Sequence, residues 1–255
     1  MTPIVLHHGL MGYTNIHIGP LRWSYFQGID RAILQRGFPL VVTAVHPTAG
    51  VLTRARQLKQ CIRENLAKIA PEEKIVILAH SLGGLDARYM LTHLGMARFV
   101  KALVTISTPH RGSAFADWCV RHVGQRLGAF RICKILGLDV QAVSDVTCSQ
   151  CAKFNAATPD MPGVRYYSVT AASAHENMPV WARHSHKLIF DAQGDNDGLV
   201  AVTSGIWGEH LGTWPADHWM TINHRVIPQV RTDITNLWMK ILDRLVSDGI
   251  MQPRT

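Results

Sequence analysis

Ser81 stands in KIVILAHSLGGLDARY, Lys74 to Tyr89, with Ala79 two residues before it and Gly83 two residues after it. A serine presented where a strand reverses into a helix needs small neighbours at those two places, because bulk there would collide across the turn. Such a placement serves acyl transfer to an exposed hydroxyl, yet a hydroxyl is a poor nucleophile at neutral pH. It needs an imidazole to take its proton and a carboxylate to hold that imidazole in the right tautomer. The chain supplies both further on. GDNDGLV, Gly194 to Val200, offers Asp195 and Asp197, and WPADHWMTINHR, Trp214 to Arg225, offers His218 and His224. Asp197 is the better acid because Gly198 gives a tight turn that can aim the carboxylate. His218 is the better base because His224 sits where the final helix is expected to begin. With fourteen histidines in the chain a single one proves little, so order and placement together carry the inference.

An acyl-transfer site also needs backbone N–H groups aimed at the developing oxyanion. PIVLHHGLMG, Pro3 to Gly12, is an apolar strand that breaks at Gly9, where a glycine lets the backbone approach closely. Leu10 carries the N–H that this strand end would deliver. The plainer alternative is an ordinary strand-ending turn.

These residues need a scaffold. Besides Ile75 to Ala79, strands are predicted at Pro39 to Pro47, Val100 to Thr108, Val164 to Ala171 and Lys187 to Asp191. Helices are predicted at Ile29 to Gln35, stopped by Gly37, and at Leu82 to Leu94, where Gly84 allows close packing on the sheet. A crossover helix carries the stripe Ala55, Leu58, Ile62, Leu66 and Ile69, and a final helix is marked by Ile227, Val230, Ile234, Leu237, Ile241 and Leu245. The stretch from Gly12 to Phe26 is expected to be loop, and the acid loop is expected to follow a strand directly. Alternating strands and helices indicate an α/β fold with a mostly parallel central sheet and helices on both faces. Ser, Asp, His is the chain order of α/β-hydrolases.

Thr108 to about Gly163 interrupts that alternation. Within it Trp118, Val120, Val123, Leu127, Phe130, Ile132, Ile135 and Leu136 are interspersed with Arg121, His122, Arg126, Arg131 and Lys134. An amphipathic, basic insertion between two sheet strands suits a lid or cap over an apolar pocket, placed here at residues 114–160. Two ordinary packing helices would give the same pattern.

Composition limits the partners. A chain of 255 residues, 47% hydrophobic and 17% charged, fits one domain over 1–255 with a large core. No run of 18 apolar residues could span a membrane. The net charge of +8 comes from scattered basic residues without the Lys/Arg block of a nucleic-acid binder, and it favours acidic interfaces. Five cysteines, Cys61, Cys119, Cys133, Cys148 and Cys151, are an odd number and argue for reduced thiols. Cys148 and Cys151 have the spacing of half a zinc site or a redox motif, but no second such pair completes it. Met1 is followed almost directly by a strand without the regions of a signal peptide, so a cytoplasmic protein is expected, or a secreted one if a leader has been removed.

HHGLMG, YFQGI at Tyr25 to Ile29, AHSLGG, STPHRGS, CAKFNAATPDMPGVRYYS and NDGLV, taken in order, resemble bacterial true lipases, the family I lipolytic enzymes. The resemblance implies an α/β-hydrolase fold, a triad of Ser81, Asp197 and His218, and an oxyanion hole formed by the backbone N–H groups of Leu10 and Leu82. It also implies that the region after Asp117 is a mobile lid. Two features depart from the family. Ala79 replaces the commoner first glycine of the elbow, as in some lipases of the wider group. Met220 occupies the place, two residues after the base, where relatives commonly carry a calcium-ligating aspartate, so no metal and no organic cofactor is expected. The resulting expectation is a lipase or esterase that takes an ester or lipid substrate and water, acts through an acyl-enzyme on Ser81, and meets a lipid interface. An acyltransferase or thioesterase could use the same acyl-enzyme, and a non-catalytic lipid-binding module would have no use for the three residues.

Overall fold

In the computed structural model, residues 1–12, 15–18, 21–69, 73–124, 141–224 and 232–252 are described. Six parallel strands form the central sheet, in the order β4-β1-β5-β6-β7-β8. They are β1 Ile4–His7, β4 Leu40–Val42, β5 Ile75–His80, β6 Val100–Ile106, β7 Arg165–Ala172 and β8 Glu209–Pro215. A separate antiparallel hairpin of β2 Asn15–Ile18 and β3 Leu21–Ser24 occupies most of the stretch expected to be loop.

Strand β5 is buried over its whole length because it lies between β1 and β6 and has helices on both faces. Its side chains alternate between two cores, as a strand period of two requires. Val76 and Leu78 join Ile4, Leu6, Phe26, Ile33 and Trp238, whereas Ile75, Ile77 and Ala79 join Val5, Leu58, Ile62 and Met90. The first core is covered by α1 Ile29–Gln35 and α9 Ile234–Ser247, the second by α2 Val51–Ile69 and α3 Gly83–His93. The apolar stripe of α2 is buried at Ala55, Leu58, Ile62 and Leu66. Ile227 and Val230 of the predicted final helix lie outside the described residues. That helix begins at Ile234, where the Asp233 side chain accepts the N–H of Asn236 at 3.0 Å as an N-cap.

Between β6 and β7 run the short helices α4 Ala114–Cys119, α5 Gln141–Asp145 and α6 Cys148–Ala157. Of the predicted lid at residues 114–160, residues 125–140 lie outside the described residues.

One predicted strand is wrong. Lys187 to Asp191 belongs to α7 Arg183–Gln193, in which Ser185, His186 and Ile189 are buried and Phe190 is 53% exposed. Burial at three- and four-residue spacing is helical, and a five-residue apolar run does not separate the two readings. The acid loop therefore follows a helix. The edge strand β8, which carries the chain to the base loop, was not expected; it buries only Trp214 along its length and contains Gly212 at φ 129. The short α8 Val202–Gly205 follows the acid loop. Among the described residues no helix is long and apolar enough to cross a membrane.

Candidate active site

Ser81 lies at the carboxyl end of β5 with φ 55, in the left-handed region that a side chain adopts at a cost of about 1–3 kcal/mol. Neighbouring backbone holds it there. Its N–H donates to the Ile106 carbonyl of β6 at 2.8 Å, and its carbonyl accepts the Thr108 hydroxyl at 2.8 Å. The two glycines after it are needed for closeness. A Cβ on Gly83 would stand 2.8 Å from the His8 carbonyl, and one on Gly84 would stand 2.2 Å from Thr108 Oγ1.

The loops after α7 and β8 converge on this turn. Ser81 Oγ is 3.0 Å from His218 Nε2, and His218 Nδ1 is 2.8 Å from Asp197 Oδ2. Asp197 is fully buried, and its other oxygen accepts the N–H groups of Leu199 and Val200 at 2.9 and 2.7 Å. Those bonds and Gly198, at φ 98, hold the carboxylate on His218 Nδ1–H, which leaves Nε2 as an acceptor facing Ser81 Oγ. His218 is fixed from the same turn, since its N–H donates to the Asp197 carbonyl at 2.9 Å.

The other candidates lie elsewhere. Asp195 is exposed, and its side chain faces a separate cavity with His175 and His186. His224 lines the cavity at Ser81, but its Nε2 donates to the Tyr25 carbonyl at 2.9 Å.

Leu10 and Leu82 line the cavity beside Ser81, and among the described residues neither N–H donates a hydrogen bond. The peptide before Leu10 has a fixed orientation. The Gly9 carbonyl accepts from His8 Nδ1–H at 2.9 Å and from the Gly12 N–H at 3.3 Å, so the Leu10 N–H across the same trans peptide faces the other way. His8 Nε2 accepts the Val45 N–H at 3.3 Å, which settles its tautomer. Beneath the strand, the buried Arg54 donates to Asp86 Oδ2 at 2.8 Å, to the His8 carbonyl at 2.7 Å and to the His46 carbonyl at 2.7 Å. His7 Nε2 meets the same Asp86 oxygen at 3.0 Å. Sequence reasoning missed this group; the available signal was His7 in the otherwise apolar strand β1.

A Cβ on Gly9 would stand 2.6 Å from Ser81 Cβ and 3.0 Å from the His80 carbonyl. Gly9→Ala should therefore push the Leu10 N–H away from Ser81 and lower kcat about 10²- to 10³-fold, the range for loss of one oxyanion donor. Steady-state kinetics on a soluble ester, with a melting curve to check folding, would measure this; an unchanged kcat would contradict it.

A cavity of about 440 Å³ opens at Ser81, with apolar walls that include Phe115, Ala142, Val143, Val146 and Leu199. Its size and character suit an acyl chain. Cys148 and Cys151 are thiols on α6, each pushed up to about 12 by burial, and Cys151 Sγ donates to the Pro109 carbonyl at 3.3 Å. The base loop does not fit a hard cation. Met220 brings a buried thioether, and Asp217 Oδ1 accepts the N–H groups of Trp219 and Met220 at 2.9 Å each.

Burial lowers the pKa of His7, His8, His80, His110 and His224, that of His8 to about 3. In the unfolded chain these groups titrate near the ordinary value of about 6.5, so below it the unfolded state binds more protons. Stability should then be full above about pH 6.5 and fall as the pH drops below it, each histidine adding to the loss down to its own lowered pKa. Asp217, raised by burial, works in the opposite sense but is one group against five. Urea midpoints at pH 7.5, 6 and 5 should decline steadily; a flat series would contradict the neutral buried histidines.

The family model described as the PGAP1-like alpha/beta domain matches residues 41–189. Triacylglycerol lipase 2 of Saccharomyces cerevisiae is 30% identical over 258 residues, covering 93% of this chain and 76% of the yeast protein. A triacylglycerol lipase of Vibrio cholerae is 29% identical, over 82% of this chain and 74% of its own length. Among solved structures, Staphylococcus hyicus lipase superimposes with a TM-score of 0.76 at 16% identity, covering 97% of this chain and 96% of that one. The mature Bacillus licheniformis lipase BlEst2 gives 0.74 at 21% identity, covering 96% and 91%. The sheet order, the helices on both faces and these relatives agree, and the chain belongs to the lipase family of the α/β-hydrolases.

Proposed function

We propose that this carboxylic-ester hydrolase acts through an acyl-enzyme on Ser81, with acylglycerols as the substrate class. The observation that carries the reading is the line Ser81 Oγ, His218, Asp197, with spacings of 3.0 and 2.8 Å at the floor of an apolar cavity. Ser81 Oγ attacks the ester carbonyl carbon while its proton passes to His218 Nε2. Asp197 keeps the imidazolium oriented, and the N–H groups of Leu10 and Leu82 hold the oxyanion. The carbon–oxygen bond to the alcohol then breaks, and the leaving oxygen takes the proton from His218. Water enters, gives a proton to His218 and attacks the acyl carbon; the acid leaves and Ser81 regains its proton. Two protons move in and two move out, so no cofactor is needed.

The segment 114–160 serves as the cap of this single domain. Phe115, Ala116 and Cys119 of α4 and Ala142 and Val143 of α5 already line the cavity. The rim suits a lipid surface. Met11 lines the opening and is 60% exposed, and Trp219 stacks edge-on at 4.3 Å with Trp181, which is 59% exposed. The triacylglycerol lipases among the relatives favour acylglycerols as substrates.

Profiling p-nitrophenyl esters of increasing acyl length, alongside a triacylglycerol emulsion, tests this reading. Release of fatty acid with water as acceptor, strongest for chains that fill the cavity, is expected. Transfer to an added alcohol with no free acid would indicate an acyltransferase instead, and no turnover of any ester would contradict the proposal.

A further inference from the structure

We infer that His80 is a positioning residue that ties the strand bearing Leu10 to the loop bearing His218, through a buried chain of hydrogen bonds with a single proton direction. This rests on the roles proposed above for Ser81, His218 and Leu10.

The direction follows from the partners. Thr221 Oγ1 lies 2.6 Å from the His218 carbonyl, which can only accept, so the one hydroxyl proton of Thr221 goes there. His80 Nε2, 2.8 Å from the same hydroxyl oxygen, must then donate to it. His80 is buried, which keeps it neutral, so a proton on Nε2 leaves Nδ1 as an acceptor. Tyr25 O–H donates to that nitrogen at 2.8 Å, and the Tyr25 oxygen accepts the Gly9 N–H at 3.2 Å. The chain therefore runs from the Gly9 N–H through Tyr25, His80 and Thr221 to the His218 carbonyl. One end sits on the peptide preceding the Leu10 donor and the other on the backbone of the base. Thr221 is itself anchored, since its carbonyl accepts Trp238 Nε1–H at 2.8 Å from α9.

Packing adds a reason for a neutral ring at this place. The His80 and His218 ring centroids are 4.7 Å apart, and a charged group so close would oppose the imidazolium that forms on His218 during acyl transfer. A neutral imidazole supplies a donor on one side and an acceptor on the other without that charge. His80 lines the cavity at Ser81, but both its ring nitrogens are taken up by Tyr25 and Thr221 and neither is bonded to Ser81 or to the His218 ring. It acts by keeping donor and base in register, where misplacement by about 1 Å can cost about 10²-fold in rate.

The test is a mutant cycle on the full chain with a soluble p-nitrophenyl ester, reading kcat, KM and melting temperature. Tyr25→Phe, Thr221→Val and His80→Phe should each lower kcat by about 10- to 100-fold with KM within about twofold. Tyr25→Phe combined with Thr221→Val should lose much less than the product of the single losses, because both act through one ring. His80→Gln, whose amide can still donate toward Thr221, should recover part of what His80→Phe loses. Losses that multiply independently, losses confined to KM, or a normal kcat in His80→Phe would overturn the inference. Should His80→Phe fail to fold, the Tyr25→Phe and Thr221→Val cycle decides alone. Fluorophosphonate labelling of Ser81 in the wild type separates the two levels. If the label goes elsewhere the proposed mechanism fails; if it goes to Ser81 while the cycle is multiplicative, only the role of His80 fails.

Discussion

Ser81→Ala is expected to lower ester turnover by about 10⁴-fold or more while leaving the melting temperature within a few degrees of wild type. The magnitude follows from losing the nucleophile itself: what remains is substrate binding and the oxyanion donors, acting on a water that nothing positions. The fold should survive because the hydroxyl is half-buried at a turn held by backbone bonds, from the Ser81 N–H to Ile106 and from Thr108 to the Ser81 carbonyl. Alanine keeps all of these. A variant that retained more than about a hundredth of wild-type kcat on a purified, folded sample would move the nucleophile to another residue.

Asp197→Asn should reduce kcat by about 10³- to 10⁴-fold with little change in KM. The asparagine oxygen can still accept the Leu199 and Val200 N–H groups, so the turn should persist. Its amide nitrogen then faces His218 Nδ1 and donates, forcing the proton onto Nε2, where it points at Ser81 Oγ instead of receiving its proton. Asp195→Asn is the control: that residue is exposed, two positions away, and its carboxylate faces a different cavity. A larger loss for Asp195→Asn than for Asp197→Asn would reverse the assignment of the acid.

The three side chains joined by hydrogen bonds at Ser81 could be named from the sequence because each leaves a local mark. The elbow requires an apolar run and small residues at fixed offsets, Asp197 precedes a glycine that its turn uses at φ 98, and His218 sits in the loop before the last helix. Buried parallel strands such as β5 and β6 were legible for the same reason, since covering both faces makes them continuously apolar. Lys187 to Asp191 misled because a short apolar run fits a strand or one face of a helix, and only tertiary packing chose the helix. Strand β8 left no mark because it is an edge strand with little to bury. The supporting residues were hidden for another reason. Arg54 and Asp86 are 32 residues apart, Tyr25 and His80 are 55 apart, and His80 and Thr221 are 141 apart. Pairings at that range come from topology, and no local pattern encodes them.

The central claim is that Ser81 is the residue acylated during turnover, and covalent capture tests it most directly. The wild-type protein would be treated with a stoichiometric alkyl fluorophosphonate, digested, and the adduct located by peptide mass and fragmentation. The account predicts one adduct, on Ser81, formed in step with loss of esterase activity and formed far more slowly in Asp197→Asn. An adduct on a different residue, or full loss of activity with Ser81 unmodified, would contradict it.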